Sequence, residues 1–384
     1  MYNASSAFHT AVANGAHQIA LLIFSDAVFT NDDINVSVGI EFNDYFNTEE
    51  DLTIGMALSN EISFNLFNDR GLLDEYEFGD FLATIGAQIA KETVTDNGIQ
   101  VQSASHTYIA YKTPPYLKRD GNAVNSQPAA PIRSMLFYDG YVYCLLENDG
   151  VAVYKDSNGA KQNSMGLNDF MKAQMAKWEG KGISYIKNTR ILKIRKGTEQ
   201  RTYEFVPLGW FKAERPNVPT VNEIHFTCYD WMQKFEEDMP PATDLELTYP
   251  CTIGTLYTKM CDYLRVSYRT STFINSTATI SAKPEQFDTA TMRDVLQWIA
   301  GAAGSIARFS RDGVLIMDWV RNTNQVIDEH GYSEFNPYWY TTKKVTKLYN
   351  RASDGSYDTY YKPDPEAEEE PYLIQDNPLL QGVR

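Results

Sequence analysis

The spacing of apolar residues changes near Tyr249, and this change separates two kinds of structure along the chain. Before that point apolar and polar residues alternate, as they do around Ile62, Phe64 and Leu66, and this period is typical of half-buried β-strands. After it, apolar residues recur at steps of three and four, as they do in helices that bury one face. The pattern therefore predicts an α+β protein.

The strand patterns of the first region occur in two blocks that are far apart in the sequence. The second block includes TYEFVPLGWF and NEIHFTCYD, and it would continue naturally from the strands before residue 79. We therefore predict a β-barrel-like domain made of residues 1–79 and 196–240, with residues 80–195 as a large insertion. Insertions of this size usually carry specificity.

The predicted insertion combines turn-forming residues with short strand patterns. Its segment SMLFYDGYVYCLLENDGVAVYKDSNGA places DG or NG between runs of β-branched and aromatic residues, which predicts a β-meander with tight hairpins. The next segment has apolar residues at Phe170, Met171, Met175 and Trp178, followed by Gly180. This spacing predicts a short helix that ends at the glycine.

Residues 241–320 are predicted to form a small α+β domain with two helices and a β-hairpin. Thr252 can cap the helix TIGTLYTKMCDYL, and Thr291 and Asp294 have the spacing of a capping box before the second helix. Gly304 can end that helix. The strands SIARFS and VLIMDWV, joined through Arg-Asp-Gly, can then cover both helices as a hairpin.

Residues 321–384 are predicted to begin a second β domain that the chain does not complete. They contain one strand-like stretch, KKVTKLYN, and an acidic loop punctuated by prolines, YKPDPEAEEEP.

Charge and composition exclude several classes of protein. The net charge is -16, and Lys and Arg do not cluster, so we expect no stable binding to nucleic acid. The apolar run IALLIF has no basic segment before it and acidic residues soon after it, so it predicts neither a signal peptide nor a membrane span. The four cysteines lack metal-binding spacing and are predicted to be buried reduced thiols, which suits synthesis in a cytosol.

The sequence predicts no catalytic residue, no metal ligand and no cofactor, and hence no enzyme. No serine lies in a nucleophile elbow, Cys144 has no histidine close by, and acidic pairs such as Glu236 and Asp238 are expected by chance among 50 acidic residues. The histidines are scattered and form no zinc motif; they are His9, His17, His106, His225 and His330.

Four ordered motifs carry a resemblance to a known family. They are LTIGMALSNEISFNLF, PLGWFKAERPNVPTVNEIHFTCYDWMQKFE, YPCTIGTLYTKMCDYL and FINSTATISAKPEQFDTATMRDVLQWIAGAAGSIARFSRDGVLIMDW. With them the chain resembles the baseplate or tail-tip hub proteins of long-tailed phages, including prophage tail proteins and the hubs of contractile injection machines. The resemblance covers about residues 31–78 and 200–320 and leaves the insertion uncovered.

The resemblance implies a structural function in a virion tail that is assembled in the cytoplasm of a bacterial host. In that family, the β-barrel domains of three copies close into a ring that continues the tail tube, which implies a homotrimer with an axial channel. Its implied partners are a tail-tube or distal tail protein, a tape-measure protein, and a spike or receptor-binding protein. Such hubs usually have further strands after a segment like NPLL, and this chain lacks them.

Two alternatives remain at this point. The tyrosine-rich insertion could make the chain a carbohydrate-binding tail adhesin, because tyrosine rings can stack on sugar faces. Its candidate glycan contacts are Tyr138, Tyr141, Tyr143 and Tyr154. The chain could also be the non-catalytic part of a tail-associated cell-wall hydrolase.

The hub hypothesis also leads to an expectation about charge. A channel that passes DNA should have a neutral or acidic wall, since a basic wall would bind phosphates. Candidate lumen acids in the β domain are Glu41, Asp44 and Glu61.

Overall fold

The structure is a computed structural model, and it describes most of the chain. The described residues are 4–24, 27–44, 54–68, 71, 73–74, 76–94, 98–186, 190–213, 222–318, 348–351, 357–361 and 377–380. The fold is mixed α+β, mostly sheet with few helices, which confirms the predicted class. None of the sheets that these residues form closes into a barrel.

Four α-helices and three short 3₁₀ helices lie within the described ranges. The α-helices are α1 (Ser6–Ala13), α2 (Asp169–Lys177), α3 (Ile253–Tyr263) and α4 (Met292–Ala302). The 3₁₀ helices are Trp231–Glu236, Glu285–Asp288 and Pro378–Leu380.

The strands are numbered in chain order. The first thirteen are β1 (Gln18–Phe24), β2 (Val28–Phe29), β3 (Ile40–Asn43), β4 (Ala57–Leu58), β5 (Glu61–Phe67), β6 (Asp80–Thr93), β7 (Ile99–Gln102), β8 (Thr107–Ala110), β9 (Leu117–Arg119), β10 (Asn122–Ala123), β11 (Ile132–Tyr138), β12 (Tyr141–Leu146) and β13 (Val151–Lys155). The others are β14 (Lys161–Gln162), β15 (Lys181–Ile186), β16 (Ile191–Lys196), β17 (Glu199–Lys212), β18 (Glu223–Asp230), β19 (Cys251–Thr252), β20 (Ser267–Tyr268), β21 (Thr279–Ile280), β22 (Ile306–Phe309), β23 (Val314–Asp318), β24 (Leu348–Arg351) and β25 (Tyr357–Tyr361).

The chain divides into two compact units. The first comprises Met1–Glu41, Ser63–Leu208 and Ala213–Thr227, and the second comprises Phe42–Ile62, Gly209–Lys212 and Cys228–Arg384. The domain boundaries given by the sequence patterns, including those of the insertion, stay predictions.

The main sheet of the first unit contains the predicted meander. Its strands follow the order β14-β13-β12-β11-β15-β16-β17, and β6 pairs with both β17 and β1. Adjacent strands from β11 to β14 are antiparallel hairpins, as the DG and NG spacing predicts, whereas β11 and β15 run parallel. The meander packs its inner face against β7, β8 and β9 in a common apolar core.

Aromatic side chains form a second core in the first unit. The ring of Phe24 stacks on Phe81 with centroids 4.7 Å apart, and Phe64 stacks on Phe226 at 5.0 Å. Helix α2 joins this cluster through Phe170, whose ring centroid lies 4.8 Å from that of Phe29. Asn168 caps the helix by accepting from the Met171 amide at 2.7 Å. The predicted helix is therefore present, although it ends at Lys177, before Gly180.

Strand β6 was not predicted from the sequence. The sequence shows no clear periodicity from residue 79 onward, yet residues 80–93 form one long strand. Much of it is buried on both faces, which removes the alternation that marks a half-exposed strand. Gly86 permits this packing, because a Cβ there would lie 2.6 Å from the Phe205 ring.

The second unit contains the predicted helices and hairpin. Thr252 caps α3, and Thr291 and Asp294 form a complete capping box at α4. Strands β22 and β23 pair as the predicted antiparallel hairpin. The apolar faces of α3 and α4 share one core with this hairpin, and Leu296 is fully buried in it.

Little of the region after residue 320 is described. Strands β24 and β25 pair with each other, and β24 overlaps the predicted strand KKVTKLYN. Residues 362–371 of the predicted acidic loop and His330 lie outside the described residues.

Candidate functional site

A pocket with a volume of about 340 Å³, lined by both charged and apolar side chains, lies within the first unit. Strands β15, β16 and β17 form its floor. The start of β1 and the turn that follows β2 supply its walls.

The pairing register arranges the floor side chains in rows across three strands. Lys181 pairs with Lys196, and Lys196 pairs with Glu199 on the next strand. The neighbouring row consists of Ile183, Ile194 and Arg201. Because alternate residues of a strand point to the same face, both rows face the pocket.

Two carboxylates form ion pairs with cations of the pocket. The Lys181 Nζ lies 3.4 Å from Asp32 Oδ2, and the Arg201 Nε donates to Glu199 Oε1 at 2.6 Å. The second Glu199 oxygen lies 2.9 Å from the Nζ of Lys91. The hydrogen bonds from Lys91 and Arg201 hold the pKa of Glu199 below its usual range.

Lys196 differs from the other cations of the pocket. Its side chain is exposed, and no carboxylate of the described residues lies within ion-pair distance of it. It stands directly across from Lys181, so two ammonium groups share one row of the floor.

The turn after β2 is held by buried polar side chains. Asn31 Oδ1 accepts from the Ala20 amide at 2.7 Å, and Asp33 Oδ2 accepts from the Thr30 amide at 2.9 Å. Asp33 is fully buried, and this burial raises its pKa to about 7. Its other oxygen has no hydrogen-bond partner among the described residues. The turn that supplies this wall therefore holds, behind the pocket surface, a buried carboxyl group with a pKa of about 7.

His17, just before β1, and Tyr203, on β17, complete the pocket. The Nδ1 atom of His17 lies 3.3 Å from the hydroxyl of Tyr203, and the rings meet edge to face with centroids 6.0 Å apart. Together with Thr30 and Asn31 they place hydroxyl, imidazole and amide groups around the pocket.

The structure separates the four candidate tyrosines into two groups. Tyr141 and Tyr143 share one face of β12, with ring centroids 6.4 Å apart, and Tyr138 pairs with Tyr141 across the hairpin. All three are partly buried. They stay candidates for contact with a glycan.

Tyr154 lies on the opposite face of the meander. It pairs with Val142, is fully buried in the core, and donates its hydroxyl to the Ser126 carbonyl at 2.8 Å. A sugar ring cannot stack on Tyr154 in this structure. The hairpin packing that alternates faces along β12 and β13 accounts for this position.

A histidine and aspartate pair occurs elsewhere in the first unit. His106 Nδ1 lies 2.7 Å from Asp120 Oδ2, and His106 Nε2 faces Nη2 of Arg119 at 2.5 Å. Arg119 also donates to the Asp156 carbonyl at 2.9 Å. Both imidazole nitrogens are therefore engaged, and the cluster ties β9 to the loop after β13 rather than presenting a general base.

The cysteines are buried free thiols, as predicted. Burial raises the pKa of Cys144 and of Cys251, and it raises that of Cys261 to about 12. Thiols in such surroundings stay protonated and are inert at neutral pH.

Two further features are absent from the described part of the chain. No group of three or more His, Cys, Asp or Glu side chains there could hold a metal ion. No helix there is long and apolar enough to cross a membrane.

The pocket residues were not singled out from the sequence, apart from His17 as one of several scattered histidines. The available signal was the strand ILKIRK, which carries Lys193, Arg195 and Lys196 in an otherwise acidic chain. Its meaning depends on the pairing register, which brings Lys181 opposite Lys196.

Comparison of the chain with protein-family models and with the curated proteins found no match.

Proposed function

We propose that this chain is a structural hub of a phage tail tip or baseplate. Three copies would form a ring that continues the tail tube and connects it to a spike or another host-contact protein. The distal tail protein and the tape-measure protein are the proposed neighbours, and the virion tail is the proposed location.

The observation that supports this proposal is the local structure at the resemblance motifs. In CYDWM, Asp230 accepts from the Met232 amide at 3.0 Å and caps the 3₁₀ helix Trp231–Glu236. The segment TATMRDVLQWIAGAAG has a complete capping box, and Gly304 follows its helix with a positive φ of 61°. The motif residues therefore start and end elements, and this is a structural use of them.

The candidate lumen acids occupy different surroundings. Glu61 is partly buried on β5, and Glu41 is exposed on β3. Asp44, in contrast, lies 3.2 Å from the Arg311 guanidinium and 3.9 Å from that of Arg308. Asp44 already has cationic partners within the second unit, so Glu41 and Glu61 are the better acids with which to test a channel wall.

Mass photometry of the purified chain, alone and mixed with the distal tail and tape-measure proteins of the same phage, tests the ring. We expect a species of three times the 43.6 kDa chain mass, and electron micrographs of it should show an axial hole. A chain that stays monomeric in every mixture and concentration would overturn the proposal.

Charge reversal sharpens the same test. If Glu41 or Glu61 lines the channel, its replacement by Lys should leave assembly intact and slow DNA ejection, most strongly at low salt. Lys112→Glu, at a position in the predicted insertion whose side chain is 88% exposed, is a control that also reverses one charge. Equal ejection by all three variants would place the two acids outside the channel.

The adhesin alternative gains one specific observation from the structure. The charged pocket of the first unit offers a concave site for a ligand. Tyr154, in contrast, is buried in the core, so only three of the four candidate tyrosines remain for contact with a glycan.

A further inference from the structure

We propose that the pocket of the first unit binds a small anionic saccharide, that is, a sugar or polyol of monosaccharide size that carries a carboxylate or a phosphate. This binding goes beyond the proposed hub function. It needs only residues of one unit and no ring.

The first argument is the pair of like charges on the floor. Lys181 and Lys196 are direct cross-strand partners on antiparallel strands. Directly opposed residues have Cβ atoms about 4.5 to 5.5 Å apart, and like charges at that distance destabilise a sheet. A local rule broken in this way is expected at functional sites, where a ligand supplies the missing compensation. An anion between the two ammonium groups would do so.

The second argument is that the carboxylates of the pocket do not neutralise this pair. Asp32 reaches Lys181 but is 53% exposed, and both oxygens of Glu199 are engaged by Arg201 and Lys91. The charged lining residues are three cations and two acids, which gives a net charge of +1 with His17 neutral. In a chain of net charge -16, this is a local positive site that favours an anion.

The third argument concerns the uncharged part of the ligand. The amide of Asn31 and the hydroxyls of Thr30 and Tyr203 already have partners within the chain. Each of these groups can take part in more hydrogen bonds than that, so each keeps a position for a sugar hydroxyl. Ile194 lies beside the charged row, is partly exposed, and offers an apolar surface to the carbon-hydrogen face of a ring. The volume of about 340 Å³ falls at the small end of the range of about 300 to 1,000 Å³ that is typical of ligand pockets. The pocket therefore suits one sugar unit.

Calorimetric titration of the full-length chain at low ionic strength tests the proposal. The probes are glucuronate, glucose 6-phosphate, glucose and inorganic phosphate, and the first two distinguish a carboxylate source from a phosphate source. We expect one or both of these charged sugars to bind, with affinity that falls as salt is added, and glucose to bind much more weakly.

Two neutral variants and a matched control locate the binding. Lys181→Gln and Lys196→Gln should each weaken binding about tenfold, the usual effect of losing one charged hydrogen bond. Lys112→Gln removes the same charge from an exposed position outside the pocket and should leave the affinity unchanged. Lys196→Gln should also keep or raise the unfolding temperature, because it removes the repulsion across the strands. If Lys196 only stabilised the fold, its replacement by Gln would lower the unfolding temperature.

Several results would overturn the inference. These are no saturation by either charged sugar, glucose binding as tightly as glucuronate, inorganic phosphate binding as tightly as glucose 6-phosphate, or equal weakening by Lys112→Gln. The test is independent of the ring, because binding by a monomeric chain would support the pocket while the hub proposal fails.

Discussion

Asp33 in the first unit and Asp230 in the second are both buried carboxyl groups, and they differ in how their oxygens are satisfied. Both pKa values are raised by burial, to about 7 for Asp33 and about 6 for Asp230. The oxygens of Asp230 accept from Ser59 Oγ, the Asn60 amide and the Met232 amide, at 2.9 to 3.0 Å. Among the described residues, Thr30 is the only donor to Asp33, and one oxygen of Asp33 has no hydrogen-bond partner.

Ionisation of either group opposes folding, because both pKa values are raised, and the difference lies in how many donors reduce the cost of burial. A buried acceptor with its full set of donors fixes the segments that hold the donors, whereas an unsatisfied oxygen adds a desolvation cost. Asp230 joins two segments of the second unit, the one that contains Ser59 and Asn60 and the one that begins the 3₁₀ helix Trp231–Glu236. Asp33 holds the wall of a pocket and weakens its own unit when it ionises.

The largest expected loss of stability is in the apolar core around α4, and the effects of the two buried carboxyl groups can be compared with it. Leu296→Ala should lower the free energy of unfolding of the second unit by about 2 to 5 kcal/mol, because Leu296 is fully buried in the shared core. Urea titration followed by circular dichroism measures the loss. Gln297→Ala on the same helix is the control and should change stability by less than about 0.5 kcal/mol. A similar loss for both variants would show that the apolar face is wrongly assigned.

Asp230→Asn is expected to destabilise the second unit above pH 6, where the carboxyl group is ionised. The amide that replaces one oxygen would face the Asn60 or Met232 amide, or the Ser59 hydroxyl, so a donor loses its acceptor inside the core. We expect a loss of about 1 to 3 kcal/mol in urea titrations. Unchanged stability would mean that the three hydrogen bonds do not act together.

The same substitution at Asp33 should have the opposite sign. The folded-state pKa is about 7 and the ordinary value is 3.8, so the folded chain holds this proton more tightly than the unfolded chain. Stability therefore falls as the pH rises from about 4 to about 7 and then levels off. Asp33→Asn cannot ionise, and above pH 7 it should be more stable than the natural chain by about 1 to 3 kcal/mol.

Urea titrations of the first unit at acidic and at mildly alkaline pH check this prediction. The two chains should be closest in stability at acidic pH and should diverge as the pH rises. A constant difference between them across the pH range would contradict the assignment of this titration to Asp33.

The smallest expected effect concerns the capping box of α4. Thr291→Ala removes the acceptor of the Asp294 amide at 3.1 Å, while Asp294 can still accept from the residue 291 amide. Because half of the reciprocal pair survives, we expect a loss of about 1 kcal/mol in urea titration. Thr291→Ser keeps the hydroxyl and should stay near the natural stability. A loss for Ser equal to that for Ala would assign the effect to the methyl group.

The elements of the second unit could be predicted because their signals are local. The helical period of α3 and α4, and the caps at Thr252 and Thr291, lie within one or two turns of sequence. Strand β6 could not be predicted in this way, because its two buried faces leave no alternation to read. The absence of a closed barrel among the described strands was equally inaccessible, since sheet closure depends on pairing between distant segments.

The pocket could not be predicted because its residues come from four strands and a turn. Asp32 and Lys181 are far apart in sequence and meet only through the fold. The burial of Tyr154, one of the four candidate glycan contacts, could not be predicted for a related reason. Alternation along β12 and β13 separates Tyr141 and Tyr143 from Tyr154, and without the register the sequence does not say which tyrosines share a face.

The parallel pairing of β11 with β15 has a consequence for the order of folding. The hairpins from β11 to β14 join neighbours in sequence and close short loops, so they can form early. Pairing of β11 with β15 must wait until the chain from β12 through α2 has returned to the sheet. The floor of the pocket begins at β15. The meander can therefore be complete during synthesis before β16 and β17 add the rest of this floor, so the pocket forms late.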